Sequence, residues 1–117
     1  MVVLVALLLG LAKPPAAYLQ AGTKHVPLAI SSWCWGARCG APISAATKVA
    51  TVARGTTLRV ELRFAPTAAR LAVGSTPVSL TSHRTELSWR VTRGGGLTLH
   101  VTGPHGWVTY VGRIAIR

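Results

Sequence analysis

The chain has 117 residues, half of them apolar, which suits a single domain with a substantial hydrophobic core. Its charge is one-sided, because 13 Lys and Arg face two acidic residues and give a formal net charge of +11. Both acids, Glu61 and Glu86, fall in predicted strands, which argues against a hydrolase built on paired carboxylates or on an acid-oriented triad.

The glycine run 94–96 is not a nucleotide-binding motif, because it precedes a predicted strand and not a helix. We therefore assign no catalytic residue, no cofactor and no metal site, and we expect the protein not to be an enzyme.

Residues 1–12 form an apolar segment that is shorter than the roughly 20 residues needed to span a bilayer. The segment suits the apolar core of a signal peptide, and the small residues Gly10 and Ala12 predict cleavage after Ala12, with Ala21 as a second candidate. No basic residue precedes it, so either the true start lies upstream or the segment is an anchor, and a buried strand is the structural alternative. We expect residues 1–21 to be a signal peptide or anchor plus linker, residues 22–117 to be the folded domain, and the protein to be exported to the cell envelope or the extracellular space.

The clearest element is residues 57–64, in which apolar and polar residues alternate strictly, as in a half-buried strand. Its inward residues are predicted to be Leu58, Val60, Leu62 and Phe64. Further strands are predicted at 26–30, 48–53, 70–73, 78–80, 86–91, 97–101 and 107–116. Strands this short at hairpin spacing predict an all-β fold, an antiparallel Ig-like β-sandwich of about seven strands preceded by the apolar leader.

Glycines define the predicted turns. The run 94–96 predicts a hairpin between strands 86–91 and 97–101, and residues 103–106 predict another turn. Gly112 predicts a bulge in the last strand.

The most distinctive stretch is residues 32–39, which contain two cysteines separated by four residues. In an exported chain, Cys34 and Cys39 are expected to form a disulfide. They are also candidate metal ligands together with a histidine such as His25, or a redox dithiol, although the C-x-x-C spacing is absent. Trp33, Trp35 and Arg38 form a candidate binding loop, in which we expect one indole in the core and the other exposed.

Four arginines fall on outward faces of predicted strands: Arg59, Arg63, Arg90 and Arg113. If their strands share a sheet, they form a basic face that attracts an anionic wall polymer or lipid head groups, and otherwise they are solvated. The basic residues are scattered along the chain, which argues against nucleic acid as the partner. His100 also falls on an outward face and is expected to meet solvent.

The chain resembles a group of small exported or lipid-anchored bacterial proteins of uncharacterised function. The shared motif is carried here by Ser32, Trp33, Cys34, Trp35 and Cys39. The strand tryptophan Trp89, the return strand 97–101 and the closing strand with Trp107 and Tyr110 extend the resemblance over residues 28–117. The resemblance implies an Ig-like β-sandwich and no known reaction.

Taken together, these features predict a non-enzymatic exported Ig-like module that acts at the cell envelope by binding or structural contact. Its expected partner is an anionic polymer, lipid head groups or another envelope protein. The alternative is a periplasmic or extracellular metal-handling protein that uses Cys34, Cys39 and a histidine.

Overall fold

The computed structural model describes residues 14–40, 42–43 and 48–117. This part of the chain contains twelve strands and no helix, arranged in two sheets around one hydrophobic core. The strands are β1 Tyr18–Ala21, β2 Lys24–Pro27, β3 Ala29–Trp35, β4 Arg38–Gly40, β5 Val49–Val52, β6 Thr57–Glu61, β7 Ala68–Val73, β8 Thr76–Val78, β9 Thr81–His83, β10 Glu86–Arg90, β11 Gly95–Gly103 and β12 Gly106–Ile116. The predicted all-β class and sandwich are confirmed, with twelve strands in place of the seven expected.

The five-stranded sheet has the order β2-β1-β6-β10-β9. The seven-stranded sheet has the order β4-β3-β12-β11-β7-β8, and β5 also pairs with the end of β12. Every pairing in both sheets is antiparallel except β5 with β12, which is parallel. The strand β12 therefore joins three other strands of its sheet, because it pairs with β3, β5 and β11.

The core lies between the sheets and is formed by the alternating inward residues of both. The inward faces predicted for residues 57–64, 86–91 and 97–101 are confirmed. Their buried members are Leu58, Val60, Leu62, Phe64, Leu87, Trp89, Val91, Leu97, Leu99 and Val101.

The folded domain begins earlier than residue 22, so the predicted boundary is wrong. The strand β1 lies between β2 and β6, and its Leu19 is 1% exposed. Ahead of β1, Pro14 is buried, and the carbonyl oxygen of Pro15 accepts a hydrogen bond from the Tyr110 hydroxyl. The two prolines suggest a linker, but long-range pairing holds this segment in the fold. Residues 1–13, which include the predicted apolar segment 1–12, lie outside the described residues.

The glycines 94–96 do not form a hairpin, because β10 belongs to the five-stranded sheet and β11 to the seven-stranded sheet. The chain crosses between the sheets here. The end of β10 is instead hydrogen-bonded to the loop after β5: the N–H of Val91 donates to the Thr56 carbonyl at 2.9 Å, and the N–H of Gly55 donates to the Val91 carbonyl at 2.7 Å.

The turn predicted at 103–106 is confirmed as the hairpin between β11 and β12, with Gly103 opposite Gly106. The bulge predicted at Gly112 is wrong, because Gly112 pairs in regular register with Leu97. The irregularity lies in the pairing of β12 with β3, where Ser31 is the extra residue opposite Thr109 and Tyr110. A side chain at Gly112 would instead meet Leu28, whose Cδ2 lies 2.6 Å from the Cβ position.

Candidate functional site

Cys34 and Cys39 form the predicted disulfide. They lie directly opposite each other on β3 and β4, so the bond closes the short hairpin at the edge of the seven-stranded sheet. With both sulfurs bonded to each other, neither is a thiolate that can bind a metal. The part of the chain that the structure describes also contains no group of three or more His, Cys, Asp or Glu side chains able to hold a metal ion.

Both tryptophans of the candidate binding loop lie in the core, so the expectation that one is exposed is wrong. Trp33 is 7% exposed and Trp35 is 3% exposed. The physical reason is that residues two apart in a strand point to the same face. The Trp33 ring occupies the space beside Gly40, and Trp35 packs on Phe64 with ring centroids 5.0 Å apart. Arg38 is exposed at the hairpin, so this loop presents a cation to solvent and not an indole.

The four arginines of the predicted basic face are all exposed, but they do not share one sheet. Arg59 lies on β6 and Arg90 on β10, both in the five-stranded sheet, and Arg63 follows β6. Arg113 lies on β12 in the other sheet. The structure therefore groups Arg59 with Arg90 and separates Arg113 from them.

The only two acidic side chains of the chain lie on the same outer face as Arg59 and Arg90. Glu61 and Glu86 are direct register partners on β6 and β10. Glu86 lies 3.8 Å from the Arg59 guanidinium, and Glu61 accepts a 2.7 Å hydrogen bond from the Thr85 hydroxyl. The outer face of the five-stranded sheet is therefore mixed in charge.

The outer face of the seven-stranded sheet contains no carboxylate side chain, because both acids lie on the other sheet. One row across it joins Ser32, Thr109, His100 and Arg70 on β3, β12, β11 and β7. Beside this row, Trp107 lies opposite Cys34 of the disulfide and is half-buried.

We call the group Trp107, His100, Thr109 and Arg70 the Trp107 patch. The rings of Trp107 and His100 pack with centroids 5.3 Å apart and an interplanar angle of 31°. The Thr109 hydroxyl lies 2.9 Å from Nδ1 of His100 and forms a hydrogen bond with it. Of the chain's four tryptophans, Trp107 alone is not in the buried core.

The His100 imidazole is predicted on the outer face and is found there, half-buried under its neighbours. Burial lowers the pKa of His100, and the positive charge of Arg70 lowers it further. Both effects favour the neutral imidazole, whose Nδ1 is already used by the Thr109 hydroxyl, so that Nε2 is the ring nitrogen left for a ligand.

Sequence reasoning named Trp107 only as part of the resemblance and did not predict it as a site residue, although the signal was present. Because Val108 and Tyr110 are the inward residues of β12, their alternation places Trp107 and Thr109 on the opposite face. The alternation of buried and exposed residues does not show which strands lie beside β12. Its pairing with β11 and β3 places His100 and the disulfide near the indole.

A separate cleft of about 320 Å³ opens near the β1–β2 turn. Its polar lining is cationic and rich in hydroxyl groups: Thr23, Lys24, Thr51, Thr56 and Arg117. This cleft adds positive charge at the edge of the sandwich.

Among the described residues, no helix has the length and apolarity required to cross a membrane. Compared with protein-family models, with curated proteins and with solved structures, the chain matches none. The resemblance given above rests on the quoted residues alone and remains a prediction.

Proposed function

We propose that the protein is a non-enzymatic, exported Ig-like β-sandwich module that acts at the cell envelope by binding an anionic polymer. The observation that supports this proposal is the distribution of charge. Both acidic side chains are opposite each other on the five-stranded sheet, so the rest of the surface has basic residues with no carboxylate side chain among them. Such a surface attracts polyanions over distances of about a Debye length.

An anionic polymer fits the surface better than the head groups of a lipid bilayer. Peripheral proteins that insert into a bilayer present exposed apolar side chains. In the described ranges, the exposed large hydrophobic residues are Tyr18 and Val49 only, at 40% and 49% exposure. Two side chains on different sheets do not form an insertion surface.

The metal-handling alternative requires reduction of the disulfide before Cys34 or Cys39 can act as a ligand. No other observation favours it, so we retain polymer binding as the proposed function.

The proposal is tested by co-sedimentation with an anionic wall polymer, with its uncharged counterpart and with acidic liposomes, at about 0.05 M and about 0.5 M NaCl. We expect retention on the anionic polymer at low salt and release at high salt. Binding that ignores salt, or equal binding to the uncharged polymer, contradicts the proposal.

A matched pair of variants locates the surface. R70Q/R113Q removes two arginines from the seven-stranded sheet, and R59Q/R90Q removes two from the five-stranded sheet, so both lower the net charge equally. We expect R70Q/R113Q to weaken binding more, because Arg59 already lies near Glu86. An equal loss in the two variants indicates that net charge alone drives binding.

A further inference from the structure

We propose that the Trp107 patch is a binding site for a carboxylate-bearing polysaccharide. This inference rests on the proposed function and deepens it, because it names the ligand class and the residues that recognise it.

The first part of the argument is the position of Trp107. Its indole lies on the outer face of a sheet, while Trp33, Trp35 and Trp89 are buried in the core. The ring packs on His100 with centroids 5.3 Å apart, and the backbone of Trp107 pairs with Cys34 of β3, whose disulfide closes the neighbouring hairpin. A partly exposed aromatic ring on the outer face of a sheet offers apolar surface, and the C–H face of a sugar ring packs on such a surface.

The second part is the polar surroundings. Three further hydroxyl residues share this outer face: Ser32, Thr98 and Thr102. Together with Thr109 and the imidazole of His100, they offer both donors and acceptors to a ligand rich in hydroxyl groups. Because neighbouring strands are about 4.8 Å apart, the row from Ser32 to Arg70 extends over a length suited to consecutive sugar units.

The third part is the charge. Arg70 is exposed next to His100 in the β7–β11 pairing, and no carboxylate side chain lies on this sheet to neutralise it. A guanidinium binds a carboxylate through two parallel hydrogen bonds, so Arg70 is the residue that recognises the acidic group.

Other polyanions fit this patch less well. Single-stranded nucleic acid binds through several aromatic side chains and a row of cations along the backbone. The outer face of this sheet has one indole and two arginines, Arg70 and Arg113. Few phosphates are therefore neutralised here, whereas the hydroxyl groups are numerous.

The test is calorimetric titration of the whole protein with a short uronic-acid oligosaccharide and with the same oligosaccharide after reduction of its carboxyl groups. We expect W107A and R70Q each to weaken binding of the acidic form about tenfold or more, and the control R54Q, an exposed arginine outside the patch, to change it little. Reduction of the carboxyl groups should weaken binding of the oligosaccharide to the wild-type protein. The wild type and R70Q should then bind the reduced oligosaccharide with equal affinity.

A second measurement does not depend on the folding of a variant. The indole N–H resonance of Trp107 in the wild-type protein should shift during titration, while those of the buried Trp33, Trp35 and Trp89 stay in place. If Trp107 does not shift although the polyanion binds in a salt-dependent manner, the saccharide site is wrong and the proposed function stands. If single-stranded DNA binds more tightly than the saccharide, the ligand class is wrong. If no anionic probe binds at low salt, both proposals fail.

Discussion

The hydroxyl of Tyr110 on β12 donates a 2.8 Å hydrogen bond to the backbone carbonyl of Pro15, which precedes β1. This bond spans 95 positions of the sequence and links the last strand to the start of the described fold. Tyr110 is fully buried and Pro15 is half-buried, so this bond gives the buried hydroxyl its hydrogen-bond partner.

We expect Y110F to lower the free energy of unfolding by about 1–2 kcal/mol, because the carbonyl of Pro15 loses its partner while the aromatic packing stays. Urea denaturation measures this difference. The control is Y18F, which alters a 40% exposed tyrosine and should change stability little. Equal effects of the two substitutions would contradict the role of this bond.

We also expect the burial of Tyr110 to make the protein less stable at alkaline pH. Burial raises the pKa of Tyr110 well above its ordinary value of 10.0, so above that pH the unfolded chain releases the proton while the folded chain keeps it. The stabilisation is complete below pH 10 and declines as the pH rises further. The thermal midpoint of the wild type should therefore fall more steeply above pH 10 than that of Y110F. Parallel curves would indicate that Tyr110 is not responsible.

The disulfide should stabilise the fold modestly. Because it closes a loop with a sequence separation of only 5, we expect C34S/C39S to lower the free energy of unfolding by about 2 kcal/mol. Denaturation of both proteins with and without reductant gives the value, since reductant should affect the wild type and leave the variant unchanged. If reductant lowered the free energy of unfolding of the wild type and of C34S/C39S equally, the loss would not come from this disulfide.

Gly40 is required because the Trp33 ring fills the place of its side chain. We expect G40A to cost about 1–3 kcal/mol, since the indole has to shift within a packed core. The matched control is G96A, because no atom lies within 4 Å of the Cβ position of Gly96. Thermal unfolding compares the two, and a loss in G96A as large as in G40A would contradict the steric explanation.

The position of β1 predicts where an exported form is cut. Cleavage after Ala21 would remove an inner strand of the five-stranded sheet, so we expect cleavage after Ala12 and a mature chain that starts at Lys13. Mass spectrometry of the exported protein identifies its first residue. As a control, a chain of residues 13–117 should fold cooperatively and one of residues 22–117 should not, and a stable 22–117 fragment would refute the argument.

The sequence predicts the local properties of this fold well. Period-2 alternation correctly identifies the inward faces of β6, β10 and β11, because burial of one face is a property of each strand alone. It fails where the outcome depends on a distant partner. Leu19 is the only buried residue of its short strand, and its burial follows from pairing with β6, about forty positions later.

The same limit applies to the candidate site. The cysteine pair is predictable from spacing, but the burial of both Trp33 and Trp35 requires attention to strand parity. The Trp107 patch depends on two separate strand pairings, β12 with β11 and β11 with β7, and no local pattern specifies which strands become neighbours. The glycines 94–96 illustrate the point, because glycine permits both a hairpin and a crossover between sheets.

The central place of β12 has a consequence for the order of folding. A ribosome releases the chain from its N-terminus at about 5–20 residues per second, so residues 106–116 emerge after all the other described strands. Until then β3 and β5 have no partner in β12, and β11 has only β7 beside it. Until β12 has emerged, the nascent chain therefore lacks its complete second sheet, because β3, β5 and β11 cannot be joined without it.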